Sequence, residues 1–147
     1  MLFSIGAHPG FNCEMGDVLR FDQPETLASE WINEESLLAG GSYSLLNDET
    51  DLLLTPHLFD KDALILQHVR SKCVTLVRGG VPALKFRIGG APVLGIWAKP
   101  GAPYVCLEPW FGINDADVLT PDLRQKRLIQ ALAPGAVFEQ VWAVKTL

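Results

Sequence analysis

Residues 73–97 read CVTLVRGGVPALKFRIGGAPVLGIW, and this stretch decides the fold class of the chain. Apolar and polar side chains alternate along Val74–Val77 and again along Leu84–Ile88, which is the period of a half-buried β-strand. The pairs Gly79-Gly80 and Gly89-Gly90 supply the positive φ angles that tight hairpin turns require. Short alternating runs joined by such turns are typical of antiparallel strands in a sandwich or barrel.

The same pattern continues toward the C-terminus. Val93–Trp97 and Tyr104–Leu107 predict two further strands. Arg127–Leu132 predicts another strand, and after a Pro-Gly turn Val137–Val144 predicts a long closing strand. The sequence contains no internal repeat, low-complexity tract or linker. It therefore predicts one all-β domain over residues 1–147, an antiparallel β-sandwich or a barrel.

The region from Pro24 to Leu38 permits two interpretations. Pro24 followed by the spacing of Leu27 and Trp31 would suit a short helix opened by proline. The same residues also fit an irregular strand and a loop. Because the flanking segments have the pattern of strands, the strand and loop are favoured.

The composition limits the classes of function. The 147 residues are 48% hydrophobic and 20% charged, as in a globular domain, and the formal net charge is −5 with scattered Lys and Arg. A nucleic-acid-binding surface would need a cationic face, so a neutral or small polar ligand fits better. No signal peptide or membrane-spanning segment is evident, and no membrane partner is expected. Because Cys13, Cys73 and Cys106 form neither a disulfide framework nor a zinc motif, a cytoplasmic protein is expected.

His8 lies in a stiff turn, Gly6-Ala7-His8-Pro9-Gly10. Pro9 biases His8 toward an extended conformation, and the two glycines let the main chain approach its neighbours closely. A histidine can act as acid or base near neutral pH. The alternative is a turn histidine whose ring is satisfied by a backbone carbonyl.

Glu108 ends the apolar run Tyr104–Leu107 and is followed directly by Pro109 and Trp110. A carboxylate in this position is half-buried and needs either partners or a function. The alternative to a functional base is a strand-end glutamate paired with a nearby Lys or Arg. Of the surrounding aromatic residues, Trp110 is favoured as a ligand contact, whereas Trp97 fits core packing in its alternating strand.

No metal site is predicted. Asn114–Asp117 places oxygen ligands at alternate positions but lacks the glycine and glutamate of a calcium loop, so an Asx-type turn is favoured. His57 and His68 have no ligand-like spacing, and His57 fits a surface loop.

Four segments resemble the aldose 1-epimerase (galactose mutarotase) family, in matching order along the chain. They are Gly6–Asn12, Leu58–Ile65, Leu94–Trp110 and Leu132–Glu139. The resemblance implies that His8 is the general acid, that Glu108 is the general base, and that Asp62 contacts the sugar, with Asp60 as a less favoured candidate. Asn12, in the segment of His8, and Trp110 are further expected substrate contacts.

The resemblance also implies a reaction and a partner. Glu108 and His8 would interconvert the α and β anomers of a free aldose such as a hexose, with no metal or organic cofactor. Members of the family are about twice as long, so the chain is expected to form the C-terminal half of a galactose mutarotase-like supersandwich. The missing half supplies further sugar contacts, typically an arginine and a histidine.

Three explanations of this half-length remain open. The chain forms a homo-oligomer, it pairs with a separate N-terminal half, or it is a remnant without efficient activity. The alternative function is a non-catalytic carbohydrate-binding or interaction module derived from the same fold.

Overall fold

A computed structural model describes residues 1–118 and 122–147 and confirms the all-β antiparallel class. The strands are β1 (Leu2–Phe3), β2 (Ile5–Gly6), β3 (Gly10–Asn12), β4 (Val18–Ile32), β5 (Leu38–Leu53), β6 (Leu64–Gln67), β7 (Cys73–Arg78), β8 (Val81–Arg87), β9 (Val93–Trp97), β10 (Tyr104–Phe111), β11 (Gln130–Ala131) and β12 (Ala143–Thr146). In addition, a 3₁₀ turn covers Leu123–Gln125. Within the described ranges, no helix is long and apolar enough to cross a membrane.

Ten of these strands form one sheet in the order β12-β8-β7-β4-β6-β9-β10-β2, with β3 also paired to β10 and β5 to β4. The two remaining strands, β1 and β11, pair with each other. The long strand β4 organises the sheet, because its first residues pair with β7 and its later residue Ser29 pairs with β6.

One apolar core joins the two parts of this sheet. Leu19 and Phe21 from the start of β4 pack in the same cluster as Leu66, Ile96 and other residues of the β6-β9-β10 part. Residues from distant positions in a ten-strand sheet share a core only if the sheet curls over on itself. The observed architecture is therefore a curled antiparallel sheet of sandwich type.

The strands expected between residues 73 and 107 are confirmed, with β10 extending to Phe111. The strand-and-loop interpretation of Pro24–Leu38 is also confirmed. Residues up to Ile32 belong to β4, and Leu37 and Glu35 donate backbone hydrogen bonds to the Asn33 side chain in the loop that follows.

Two predictions near the C-terminus are wrong. Only Gln130–Ala131 of the expected strand Arg127–Leu132 is extended and paired. Of the long closing strand expected over Val137–Val144, only Ala143 and Val144 belong to a strand, since strand pairing begins at Ala143, opposite Arg87 of β8. Periodicity indicates which side chains alternate, but a strand also needs a neighbour for its backbone hydrogen bonds.

The segment before β12 is instead held by aromatic contacts and by close backbone approach. Phe138 packs edge-on against Phe3 and Phe111, and Trp142 stacks on Phe86. The carbonyl oxygen of Val141 lies 2.4 Å from where a Cβ of Gly89 would stand. Only a glycine fits below this segment.

We expect Gly89→Ala to lower the free energy of unfolding by about 2–3 kcal/mol, because the methyl group meets backbone and φ is +79°. Gly90→Ala is the matched control, since φ is +78° and no atom lies within 4 Å of its added Cβ. It should cost only about 1 kcal/mol. Urea unfolding of both variants measures the difference, and equal losses would contradict the close approach of Val141.

Candidate active site

The turn that carries His8 is anchored on β10 from both sides. Strands β2 and β3 flank this turn, and both pair with β10, with Gly6 opposite Trp110 and Gly10 opposite Cys106. The N–H of Ala7 donates to the carbonyl of Pro109, and the N–H of Leu107 donates to the carbonyl of Pro9. These bonds place His8 beside Glu108, the residue between the two anchors.

The structure brings the two predicted acid/base residues together. Nδ1 of His8 lies 3.4 Å from Oε1 of Glu108. The His8 side chain is 60% exposed, whereas that of Glu108 is 5% exposed. At 3.4 Å the groups are adjacent without a short, strong hydrogen bond, so substrate oxygens can replace this contact.

The alternation of β10 explains how a charged residue reaches a buried position. Val105 and Leu107 point into the main core, so Cys106 and Glu108 face the other side of the sheet. Burial raises the pKa of Glu108, the positive charge of His8 and the hydrogen bond from Trp110 lower it, and the negative charge of Asp62 raises it. The net effect is a pKa above that of an ordinary glutamate, as a general base near neutral pH requires.

Trp110 orients the carboxylate of Glu108. Its Nε1–H donates to Oε2 of Glu108 at 3.1 Å, and its indole packs against a second apolar cluster that contains Ile65 and Val93. A Cβ on Gly95 would stand 2.5 Å from Cζ2 of Trp110, and one on Gly6 would stand 2.8 Å from Cδ1. The ring therefore lies in a slot between two glycines of neighbouring strands, which fixes the direction of its N–H.

Trp97 does not pack in the core, contrary to the sequence-based expectation. It is partly exposed and lies beside His8, with ring centroids 6.0 Å apart, and beside Tyr104 at 6.2 Å. The alternation of side chains along β9 already indicated that Trp97 faces away from the core. Ile96 belongs to the core, so Trp97 shares the opposite face with Gly95, the side that carries Glu108.

Asp62 lies near the pair of His8 and Glu108, whereas Asn12 lies farther away along β10. Asp62 is exposed, adopts φ +72°, and lies close enough to Glu108 for its charge to act on it. Asp60 instead lies 2.9 Å from Nδ1 of His57 in a surface turn. Asn12 pairs with Tyr104, four positions along β10 from Glu108, which corresponds to about 13 Å.

An open cleft of about 430 Å³ lies beside the pair. His8, Glu108 and Trp110 line it, and so do Ser4 and Asn114, two polar residues that the sequence did not single out as site residues. Asn114 also donates a hydrogen bond to the carbonyl of Ser36. Neither Asn12 nor Asp62 is among the described residues that line the cleft.

A second buried carboxylate has a different character. Glu25 accepts hydrogen bonds from the backbone N–H groups of Arg70 and Ser71 and from the Ser71 hydroxyl. It lies 3.5 Å from Nε of Arg70. These partners satisfy Glu25, which therefore has a structural role.

The known proteins that resemble this chain agree with the geometry of the candidate site. No protein-family model matches the chain. Protein LacX of Lactococcus lactis subsp. lactis, in its plasmid and chromosomal forms, is 29% identical over 128 residues, which cover 78% of this chain and 42% of LacX. The chain thus spans less than half the length of these curated relatives.

Two crystal structures share the fold. One is a galactose mutarotase related enzyme from Lactobacillus acidophilus, with a TM-score of 0.88 and 27% identity, covering 100% of this chain and 52% of that one. The other is a galactose mutarotase-like protein from Lactobacillus casei, with a TM-score of 0.83 and 26% identity, covering 99% of this chain and 53% of that one. The resemblance to the galactose mutarotase family is therefore confirmed in sequence and in fold, over about half the length of these proteins.

Proposed function

We propose that the chain carries the acid/base centre of an aldose 1-epimerase, which interconverts the α and β anomers of a free aldose. The observation that carries this proposal is the 3.4 Å separation between His8 and Glu108 at the wall of an open cleft. The two reacting oxygens of a cyclic aldose, the anomeric hydroxyl and the ring oxygen, are bonded to the same carbon. An acid and a base that act on both must be adjacent, as these two groups are.

The reaction follows from the two roles. The Glu108 carboxylate takes the proton of the anomeric hydroxyl, whose oxygen forms a carbonyl with C1. The bond between C1 and the ring oxygen breaks, and the His8 imidazolium gives its proton to that oxygen. Rotation about C1–C2 presents the other face of the carbonyl, and the reverse proton transfers close the ring in the other anomer. Each positioned proton-transfer group of this kind contributes about 10²–10⁴-fold in rate.

The remaining groups are assigned to substrate binding and orientation. Asp62 holds a sugar hydroxyl beside Glu108, and Asn12 contacts a more distant part of the substrate. Trp110 forms one wall of the cleft while it orients Glu108. Trp97, beside His8, offers an aromatic face on the opposite side of the pair.

We further propose that this site is completed by a second polypeptide in the cytoplasm, either another copy of the chain or a separate chain that supplies the other half. Exposed apolar side chains support this association. The exposed side chains of Ile5, Val141 and Trp142, together with the partly buried Phe138, line an open groove of about 310 Å³ next to the edge strand β2. Analytical ultracentrifugation of the purified chain measures self-association directly.

We expect His8→Gln to lower the enzymatic rate of mutarotation by about 10²-fold or more, because the acid is lost. Polarimetry of freshly dissolved α-D-glucose and α-D-galactose at pH 7 measures the rate. His57→Gln is the matched control, since His57 is also exposed and also lies beside a carboxylate, that of Asp60. It should leave the rate unchanged.

A folded wild-type protein with no rate above buffer, in every oligomeric state that sedimentation detects, would overturn the proposal that the chain is catalytic alone or as a homo-oligomer. Sugar binding by calorimetry would then distinguish the non-catalytic carbohydrate-binding alternative. Equal losses in the two histidine variants would show that the rate does not depend on His8 as an acid.

A further inference from the structure

A third donor group lies against the acid/base pair. Cys106 is two residues before Glu108 on β10, so both side chains face the same side of the sheet. Its sulfur lies 3.5 Å from where a Cβ of Gly10 would stand, at the end of the turn that carries His8. One ligand atom from each of His8, Cys106 and Glu108 lies within 4.8 Å of the other two.

We propose that His8, Cys106 and Glu108 form a binding site for a transition-metal dication such as Zn²⁺. The donor set of imidazole nitrogen, thiolate sulfur and carboxylate oxygen suits zinc, with bond lengths of about 2.0–2.3 Å. In a tetrahedral site these bonds place neighbouring donors about 3.3–3.6 Å apart. The distance of 3.4 Å between His8 and Glu108 already fits, and the donor atom of Cys106 lies within 4.8 Å of both.

The surroundings also suit a cation. Three protein ligands would leave a fourth position for water, and two of the three, His8 and Glu108, line the open cleft. The carboxylate of Asp62 adds negative charge near Glu108. Trp110 donates to the second oxygen of Glu108, an outer-shell contact that orients a ligand carboxylate. When the metal binds, the S–H bond of Cys106 breaks, a sulfur–metal bond forms, and the proton passes to solvent.

Occupation of this site has a consequence that rests on the proposed function. A metal ion held by Glu108 and His8 occupies the lone pairs that accept and transfer protons, so it blocks anomer interconversion. Zinc is thus an inhibitor of the site and not a cofactor of the reaction. A chelator restores the rate.

Cobalt provides a readout that is independent of activity. Titration of the wild-type protein with Co²⁺ should produce a thiolate-to-cobalt charge-transfer band in the near ultraviolet and the intense visible bands of tetrahedral cobalt. Zn²⁺ should displace both. Cys106→Ser and Cys106→Ala should lose the bands and at least about 100-fold in affinity, since loss of an outer-shell contact alone costs 10–100-fold. Cys73→Ser, a partly exposed thiol on another strand, is the control and should bind as the wild type does.

Two results would overturn the metal site. One is the absence of a thiolate band with cobalt bound, and the other is unchanged affinity in both Cys106 variants, which would mean adventitious binding elsewhere. The effect of zinc on the mutarotation rate is a separate test. Zinc should inhibit the wild type but not Cys106→Ser, when each rate is compared with that of the same protein without metal, and inhibition that persists in this variant would also contradict the site. A wild-type protein that binds cobalt through Cys106 but has no mutarotation rate would refute the proposed function alone.

Discussion

Glu108→Gln should abolish anomer interconversion, with a fall in rate of about 10³-fold, because the amide cannot take the proton of the anomeric hydroxyl. The change is nearly isosteric, so Trp110 can still donate its Nε1–H to the side-chain oxygen that replaces Oε2. The fold should survive. The measurement is polarimetric mutarotation at pH 7, together with thermal unfolding of the same sample.

The direction of the stability change follows from the pKa. Burial raises the pKa of Glu108 in the folded state above its value in the unfolded chain, so the folded state binds the proton more tightly. The ionised carboxylate therefore destabilises the folded state at neutral pH, and this cost disappears in acid. Glu108→Gln removes the cost, so its unfolding temperature at pH 7 should equal or exceed that of the wild type.

Glu25→Gln is the control matched in burial. Oε1 of Glu25 accepts three hydrogen bonds from Arg70 and Ser71, and Oε2 lies against the Nε–H of Arg70, so the amide NH₂ of a glutamine would set a donor against this donor. This variant should lose about 1–3 kcal/mol of stability but keep the rate per folded molecule. Opposite effects of the two substitutions would separate a catalytic from a structural carboxylate. An active Glu108→Gln variant would refute the role of Glu108 as base.

The fold was predictable where a strand's own side chains show its burial. Strands β7 to β10 alternate clearly or are continuously apolar. Glycine pairs separate β7 from β8 and β8 from β9. The long strand β5 gave no such signal, because most of its side chains are exposed and its pairing with β4 is irregular. At the C-terminus an apparent alternation had no neighbouring strand to pair with. The partner of a strand is a property of the whole sheet, and periodicity does not contain it.

The site was predictable in its residue types but not in its assembly. The stiff turn at His8 and the buried position of Glu108 are visible locally. Their contact depends on β10 pairing with both β2 and β3, which no local pattern reveals. For the same reason, the sequence did not indicate that Cys106 lies beside His8 and Glu108. Cys106 has no motif spacing to His8 along the chain, yet sheet pairing places the two together. Gly95 did carry a local signal, because a glycine inside a strand indicates close approach by another group.

Gly95→Ala should therefore have the second large effect. The added methyl group would stand 2.5 Å from Cζ2 of Trp110, so the indole must leave its slot. We expect a loss of about 1–3 kcal/mol in stability from overpacking. The hydrogen bond from Trp110 to Glu108 breaks as well, which removes a group that lowers the pKa of Glu108 and misdirects its carboxylate. The rate should fall by about 10²-fold.

The acid limb of the pH–rate profile distinguishes a displaced indole from general destabilisation. Because the pKa of Glu108 rises when the Trp110 hydrogen bond is lost, the limb should move to higher pH in Gly95→Ala and also in Trp110→Phe. Gly10→Ala, in strand β3 on the other side of β10, is the control, since its added Cβ meets Cys106 at an ordinary 3.5 Å. It should leave the limb unchanged.

A double-mutant cycle completes the test, because the two residues are in direct contact. Trp110→Phe removes the atoms that the Gly95 methyl group would strike, so Gly95→Ala should cost much less stability in that background than in the wild type. The Trp110→Phe variant has already lost the indole N–H, so the second substitution should also leave the acid limb where the first one put it. Additive effects on stability and pH profile would mean that Gly95 and Trp110 act independently, and that the slot does not orient Glu108.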